Sequence, residues 1–268
     1  MKKLFILFAI LFVSKGLFAQ EENNLKNFRF GLKVAPVFNW LRPDLKKIDG
    51  AGASVGFKYG LITEFRLSSV ASFVTGIEGS HLGGKLNYTD SAVYRVFDDA
   101  FVSAEDFTAL DSASKLKSGR YLLKESNIRV TYITIPIALK LKTKDIGGMT
   151  YFGMFGGDLN IKAGSKLTDN SNLSALTAPA SGTKFDPTKI DYSKDMNFFT
   201  VNLNVGGGLE YNLSGTTSFL AGINYNRGFL SATKADSDIL TKGKYENTGA
   251  YSQKAFMDGI AITVGILF

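Results

Sequence analysis

The chain has 268 residues, a length that suits one all-β domain with loops. It contains no cysteine, which excludes a disulfide framework, a lipid-modified N-terminal cysteine and any cysteine-based metal site. The 31 basic residues fall to 28, against 24 acidic ones, if Lys2, Lys3 and Lys15 leave with a cleaved N-terminal segment; the remaining charge near +4 is too mild and too scattered for nucleic-acid binding.

Met1-Lys2-Lys3 is a short basic start, Leu4 to Val13 is an apolar run, and Leu17-Phe18-Ala19 precedes Gln20. This layout predicts a secretory signal peptide over residues 1–19, cleaved after Ala19. A transmembrane helix is the competing reading, but the apolar run falls well short of the roughly 20 residues a helical span needs. Residues 20–27 then form a short polar lead.

From Phe28 the polarity alternates with the period of a strand. Phe28, Phe30, Leu32, Val34, Phe38 and Trp40 share one face, opposite Arg29, Gly31, Lys33, Ala35 and Asn39. Pro36 has no N–H to give a neighbouring strand, which predicts a bulge or irregular pairing. The second strand spans about Gly52 to Arg66, and Leu67-Ser68-Ser69 turns it into a third, Val70 to Gly83.

Residues 84–126 are polar and acidic. Within them Phe101, Ala104, Phe107 and Leu110 have the spacing of a short amphipathic helix. The fourth strand, Asn127 to Lys142, alternates Ile133, Ile135, Ile137, Leu139 and Leu141 with Thr134, Pro136, Ala138 and Lys140. A turn at residues 144–148 leads to the fifth, Met149 to Ala163. A second polar insert covers residues 164–196. The sixth strand, Phe199 to Leu213, turns at Ser214-Gly215-Thr216 into the seventh, Thr217 to Phe229; a third insert covers 230–253; and the eighth strand runs from Phe256 to Phe268.

Eight long strands, joined by alternating short turns and longer loops, predict an all-β fold: an eight-stranded antiparallel transmembrane β-barrel over residues 28–268, integral to a bacterial outer membrane. Both termini and the short turns are expected in the periplasm, and the loops at 84–126, 164–196 and 230–253 outside. Each strand alternates for a dozen residues or more, enough for the roughly 9–11 that cross a bilayer at a tilt. The C-terminal Phe268 fits a last strand that must pair with the first. Phe28, Phe65, Tyr151, Tyr211, Phe219 and Phe268 at one end, and Trp40, Phe199, Phe229 and Phe256 at the other, are expected as interfacial girdles. A soluble lipocalin-like barrel would alternate in the same way. The second face decides: it is built of Gly, Ser, Thr, Asn and Ala with isolated charges, which fills a narrow lumen better than it covers a water-exposed wall.

Tyr132-Ile133-Thr134-Ile135-Pro136-Ile137-Ala138-Leu139-Lys140 resembles the proline-centred strand of PorT-like outer-membrane β-barrel proteins. Gly31-Leu32-Lys33 with Asn39, Gly206-Gly207-Gly208-Leu209-Glu210-Tyr211 and the final Gly265-Ile266-Leu267-Phe268 are similar too. The resemblance spans the mature chain and implies an eight-stranded barrel. For function it implies a non-enzymatic role in envelope assembly, protein secretion or surface-protein maturation. Partners would be outer-membrane lipid and lipopolysaccharide, the barrel-assembly machinery during insertion, and envelope or secretion proteins. A small channel or porin-like transporter is the alternative.

No catalytic, cofactor-binding or metal-ligating residue is assigned. His81, the single histidine, has the outward phase of Phe73 and Ile77 and suits an interface position; a rim enzyme would have to depend on it. Gly83-Gly84-Lys85 lacks phosphate-loop spacing, and Gly206-Gly207-Gly208 suits a bend or close packing within a strand. Asp236 and Asp238 form an incomplete calcium pattern that reads as loop charge. A hairpin centred near Ser68 sets Lys58 opposite Glu78, both pointing inward, so the two are expected to pair, with Lys33 or Lys140 competing for Glu78 or Glu210. A lumen so crowded predicts a plugged barrel.

Overall fold

A computed structural model describes residues 28–97, 100–101, 109, 112, 119–167, 172–177, 191–242 and 250–268. The expected signal peptide and polar lead lie outside the described residues. Most of the expected amphipathic helix does too: Phe101 closes a two-residue strand, and Ala104, Phe107 and Leu110 fall outside.

Among the described residues thirteen strands form one sheet: β1 (Phe28–Pro43), β2 (Ile48–Gly50), β3 (Ser54–Arg66), β4 (Ala71–Phe97), β5 (Ala100–Phe101), β6 (Gly119–Lys142), β7 (Met149–Leu167), β8 (Asn172–Thr177), β9 (Phe199–Ser214), β10 (Thr217–Gly228), β11 (Asp236–Lys242), β12 (Ala250–Ser252) and β13 (Ala255–Leu267). The eight long strands close a ring in the order β4, β3, β1, β13, β10, β9, β7, β6 and back to β4. All its pairings are antiparallel. The last strand meets the first from Gly31 opposite Leu267 to Pro43 opposite Ala255. Closure leaves the ring without an edge, so its backbone donors and acceptors are satisfied in a medium that offers none.

Pro36 and Pro136 show how the wall tolerates a missing donor. Pro36 pairs with Phe57 on β3 but makes no pair with β13, and Pro136 pairs with Asp158 on β7 but makes none with β4. The register is the same on either side of each gap, so the pairing is irregular without a bulge. A bulge does occur in β7, between the pairs Thr131–Gly164 and Tyr132–Lys162.

The outward face is apolar and open. Leu32, Leu61, Ile77, Val205 and Ile223 are each more than half exposed. A band of this extent, running round the ring, has to be covered by lipid. At the end bearing the short turns it is rimmed by contiguous rings: Phe28 lies 5.2 Å from Phe65, Phe65 6.4 Å from Phe73, and Phe30 5.6 Å from Phe268. At the loop end Trp40 stacks on Tyr225 at 6.5 Å, and Arg42 lies over the Phe256 ring at 4.8 Å while bonding Asp258 at 2.8 Å.

The strands continue past the lipid band. The sequence reading ends its third strand at Gly83, yet β4 runs on to Phe97 and stays paired with β6 as far as Val96 opposite Gly119. Alternation does not stop at Gly83; it inverts. Below that point the outward residues are largely apolar, and the inward ones are polar or small apart from one apolar cluster. Above it the inward positions are Leu82, Leu86, Tyr88, Ile128 and Val130, all buried, while Asn87 and Lys166 face out. The physical reason is the change of solvent: outside the bilayer the wall meets water, so apolar side chains must turn inward. With Leu41, Ile48, Leu123, Leu167, Tyr192, Met196, Ile239, Leu240 and Tyr251 they form an apolar core. The barrel therefore carries a cap packed like a soluble domain, with β2 and β11 added alongside β4.

Candidate functional site in the barrel lumen

The lumen is filled in tiers, which are easiest to follow from the turn end. Arg29 on β1 stands opposite Glu64 on β3, and Lys140 and Lys142 project from β6, with Glu210 from β9. Arg29 Nη2 donates to Glu64 Oε2 and Glu210 Oε2, both at 2.8 Å. Lys140 bonds Glu64 at 3.2 Å and also reaches Glu210; Lys142 contacts Glu64 and lies 3.2 Å from Glu210. Three cations thus share two carboxylates. Both Glu64 and Glu210 are buried, and a charge in so dry a place needs this many partners.

An apolar cluster of Ile62, Val74, Ala138, Phe152, Leu220 and Leu267 packs around this group. Lys140 Nζ sits 4.3 Å over the Phe152 ring, and the ring rests where Gly208 and Gly222 have no side chains. A Cβ on Gly208 would come within 2.8 Å of Phe152 Cζ, and one on Gly222 within 3.3 Å. The glycines of β9 therefore serve close packing, as expected from their place in mid-strand.

The next tier is polar. Lys33 pairs with Glu78 at 2.6 Å, and Lys58 with Asp158 at 2.9 Å. Ser80, Thr134 and Asn160 form a hydrogen-bonded row, each step 2.8 Å. Lys58 and Glu78 do not pair with each other as expected. Both residues do point inward, but Leu67 N and Ser68 N both donate to Ala71 O, and Ser68 Oγ accepts from Val70 N and Ala71 N. That turn is wider than one centred on Ser68, so Lys58 faces Ser80 and Glu78 faces Gly60. Gly60 has no side chain, and Lys33 reaches over it from the far side to Glu78. Lys58 is left to cross the lumen to Asp158. The two competing cations named from sequence each take a carboxylate: Lys33 takes Glu78, and Lys140 takes Glu210. Asp158, Glu64 and Lys142 complete these pairs without a sequence signal for their partners. Their inward phase on β7, β3 and β6 was legible, but their partners were not.

His81 lies on the outer wall, exposed, with its ring 5.9 Å from that of Tyr59 and Nδ1 3.0 Å from Thr131 Oγ1. Asp236 accepts from Ser252 Oγ at 2.9 Å, and Asp238 pairs with Lys234 at 2.5 Å. Among the described residues no three His, Asp or Glu side chains are grouped to hold a metal ion. In the cap, Asp195 is buried; it accepts from Ser237 Oγ at 2.5 Å and from Asp238 N at 2.7 Å. Burial raises its pKa above the ordinary carboxylate value, and the nearby Asp238 charge adds to the rise.

Residues 18–234 match the outer membrane protein beta-barrel domain, which is most of the chain. The protein belongs to that family. Its place as an outer-membrane β-barrel accounts for both the lipid band and the inversion above it. No curated protein matches the chain. Among solved structures, this family member is similar to Neisserial surface protein A at 8% identity and TM-score 0.41, over 91% of this chain and 98% of that one. It is similar to the outer membrane protein OprG from Pseudomonas aeruginosa at 10% identity and TM-score 0.42, over 90% and 95%. It is also similar to the outer membrane protease OmpT from Escherichia coli at 10% identity and TM-score 0.35, over 93% and 99%.

Proposed function

We propose that this outer-membrane barrel is a non-enzymatic scaffold of the cell envelope, serving envelope assembly or protein secretion and surface-protein maturation, as its resemblance to PorT-like proteins implies. The observation that carries the reading is the filled lumen. Paired charges, Phe152 in its glycine cradle and the apolar core of the cap occupy the interior in successive tiers. A barrel that spends its interior on packing works through its ends. The loop-end cap faces the outside, and the short turns and both termini face the periplasm. Partners are lipid and lipopolysaccharide at the wall, the barrel-assembly machinery during insertion, and envelope or secretion proteins at the ends.

Deleting the gene and measuring surface-protein export tests the task; unchanged export and envelope integrity would overturn it. Planar-bilayer recording separates the scaffold from a channel, because steady unitary currents from the purified protein favour transport. The absence of cysteine makes orientation simple to test. Thr89→Cys at the cap should react with an impermeant maleimide on intact cells, and Ser69→Cys at a turn should react only after the outer membrane is breached. The opposite pattern would reverse the orientation.

A further inference from the structure

At the turn end the lumen opens into a vestibule of about 350 Å³, walled by the three short turns and floored by the ion cluster. Its size falls in the range of small-molecule sites, roughly 300–1,000 Å³. The charges on its floor are not presented evenly. Glu64 and Glu210 have only 3% and 6% of their side-chain surface exposed, whereas Arg29 keeps 18% and Lys142 14%. All four line the vestibule, and the cations are the more exposed members. Both Arg29 bonds use Nη2. Because three cations share two carboxylates, one positive charge of the cluster has no counter-charge among the described residues.

The mouth brings one charge of each sign. Arg66 lines the vestibule and gives its Nε to the Ser68 carbonyl at 3.1 Å, a neutral partner, and forms no ion pair among the described residues. Asp145, the carboxylate at the mouth, accepts from Gly148 N at 2.8 Å, which holds it in its own hairpin; its charge offsets one cation, and Arg29, Arg66, Lys140 and Lys142 against Glu64, Glu210 and Asp145 still leave the described vestibule and its floor with one excess positive charge. The rest of the lining is rich in hydroxyl groups, Ser72, Thr150 and Ser218 among them. Fixed cations at the base of a narrow, low-dielectric cleft concentrate anions, and guanidinium and ammonium donors match the geometry of a carboxylate or phosphate.

We propose that the turn-end vestibule is a binding site for an oxyanion-bearing solute, whose carboxylate or phosphate group is held by Arg29, Lys142 and Arg66. The site is independent of the scaffold reading and stands or falls by itself.

The test is a titration of the full-length mature protein in detergent micelles with inorganic phosphate and, separately, with acetate, at constant chloride. Backbone amide shifts of Ser68, Thr143 and Thr216 report the vestibule, and those of Thr89 and Asp238 report the cap. The expected result is saturable shifts confined to the vestibule reporters. Arg66→Gln and Lys142→Met should each weaken binding about tenfold, the loss of one charge-assisted bond. Arg66 lies outside the buried cluster, so its variant keeps the test valid if Lys142→Met fails to fold. A preference for phosphate assigns a phosphorylated solute, and equal or better binding of acetate assigns a carboxylate. No saturable shift with either anion, shifts equally strong at the cap, or unchanged affinity in Arg66→Gln would overturn the proposal.

Discussion

Lys33 and Glu78 pair at 2.6 Å across a residue that has no side chain, Gly60, which lies between them on the intervening strand. Glu78 is buried, so its loss strands a lysine in the lumen. Glu78→Leu alone should destabilise the barrel by about 3–5 kcal/mol, and Lys33→Met with Glu78→Leu by less, because the double change removes both charges. Reversible urea unfolding in lipid vesicles measures both; a double variant as unstable as the single would rule this out.

The contact between Phe152 and Gly222 should appear as a coupling energy. Gly222→Ala sets a Cβ 3.3 Å from the ring and 3.0 Å from Gly207 O, an overpacking expected to cost about 1–3 kcal/mol. In a Phe152→Leu background the ring is gone and the same substitution should cost less. Additive losses in a double-mutant cycle would show that the ring does not fill the cradle.

The inversion of polarity at the loop end separates two kinds of apolar residue. Leu86 is fully buried in the cap, and Ile77 on the same strand is 61% exposed to the lipid side. Leu86→Ala should cost about 2–5 kcal/mol, since it leaves a cavity among fixed neighbours. Ile77→Ala should cost less, because lipid tails close the gap. Equal losses in vesicle unfolding would contradict a water-facing cap.

Asp195 should give the cap a pH dependence. Its raised pKa means that the folded cap holds a proton more tightly than the unfolded segment does. As pH climbs from the ordinary carboxylate value of about 3.9 through the folded value, the unfolded form ionises first and stability falls; it is greatest on the acid side of that window. Hydrogen exchange at the Asp238 and Ile239 amides, compared with Asp195→Asn at each pH, reports it. The variant should flatten the trend, and identical profiles would exclude Asp195 as the source.

The sequence alone determined the strands of the ring and the face of each that meets lipid. Alternation with period 2 is a local property, written within every strand from Phe28 to Phe268. It also determined that Lys33, Lys58, Glu78, Lys140 and Glu210 point inward. It carried the signal for the cap as well, since Leu82, Leu86, Ile128 and Val130 stand on the face that is polar or small further down. By length and polarity alone that stretch has the character of a loop. Only the tertiary structure decided which charges meet. Lys58 and Asp158 lie on strands that do not adjoin, and what joins them is the closure of the ring together with the width of the turn after Leu67. The same holds for Phe152, whose ring fills space that Gly208 and Gly222 leave on β9 and β10. A pattern along one strand fixes the direction of a side chain; its partner depends on the register and curvature of every strand between them.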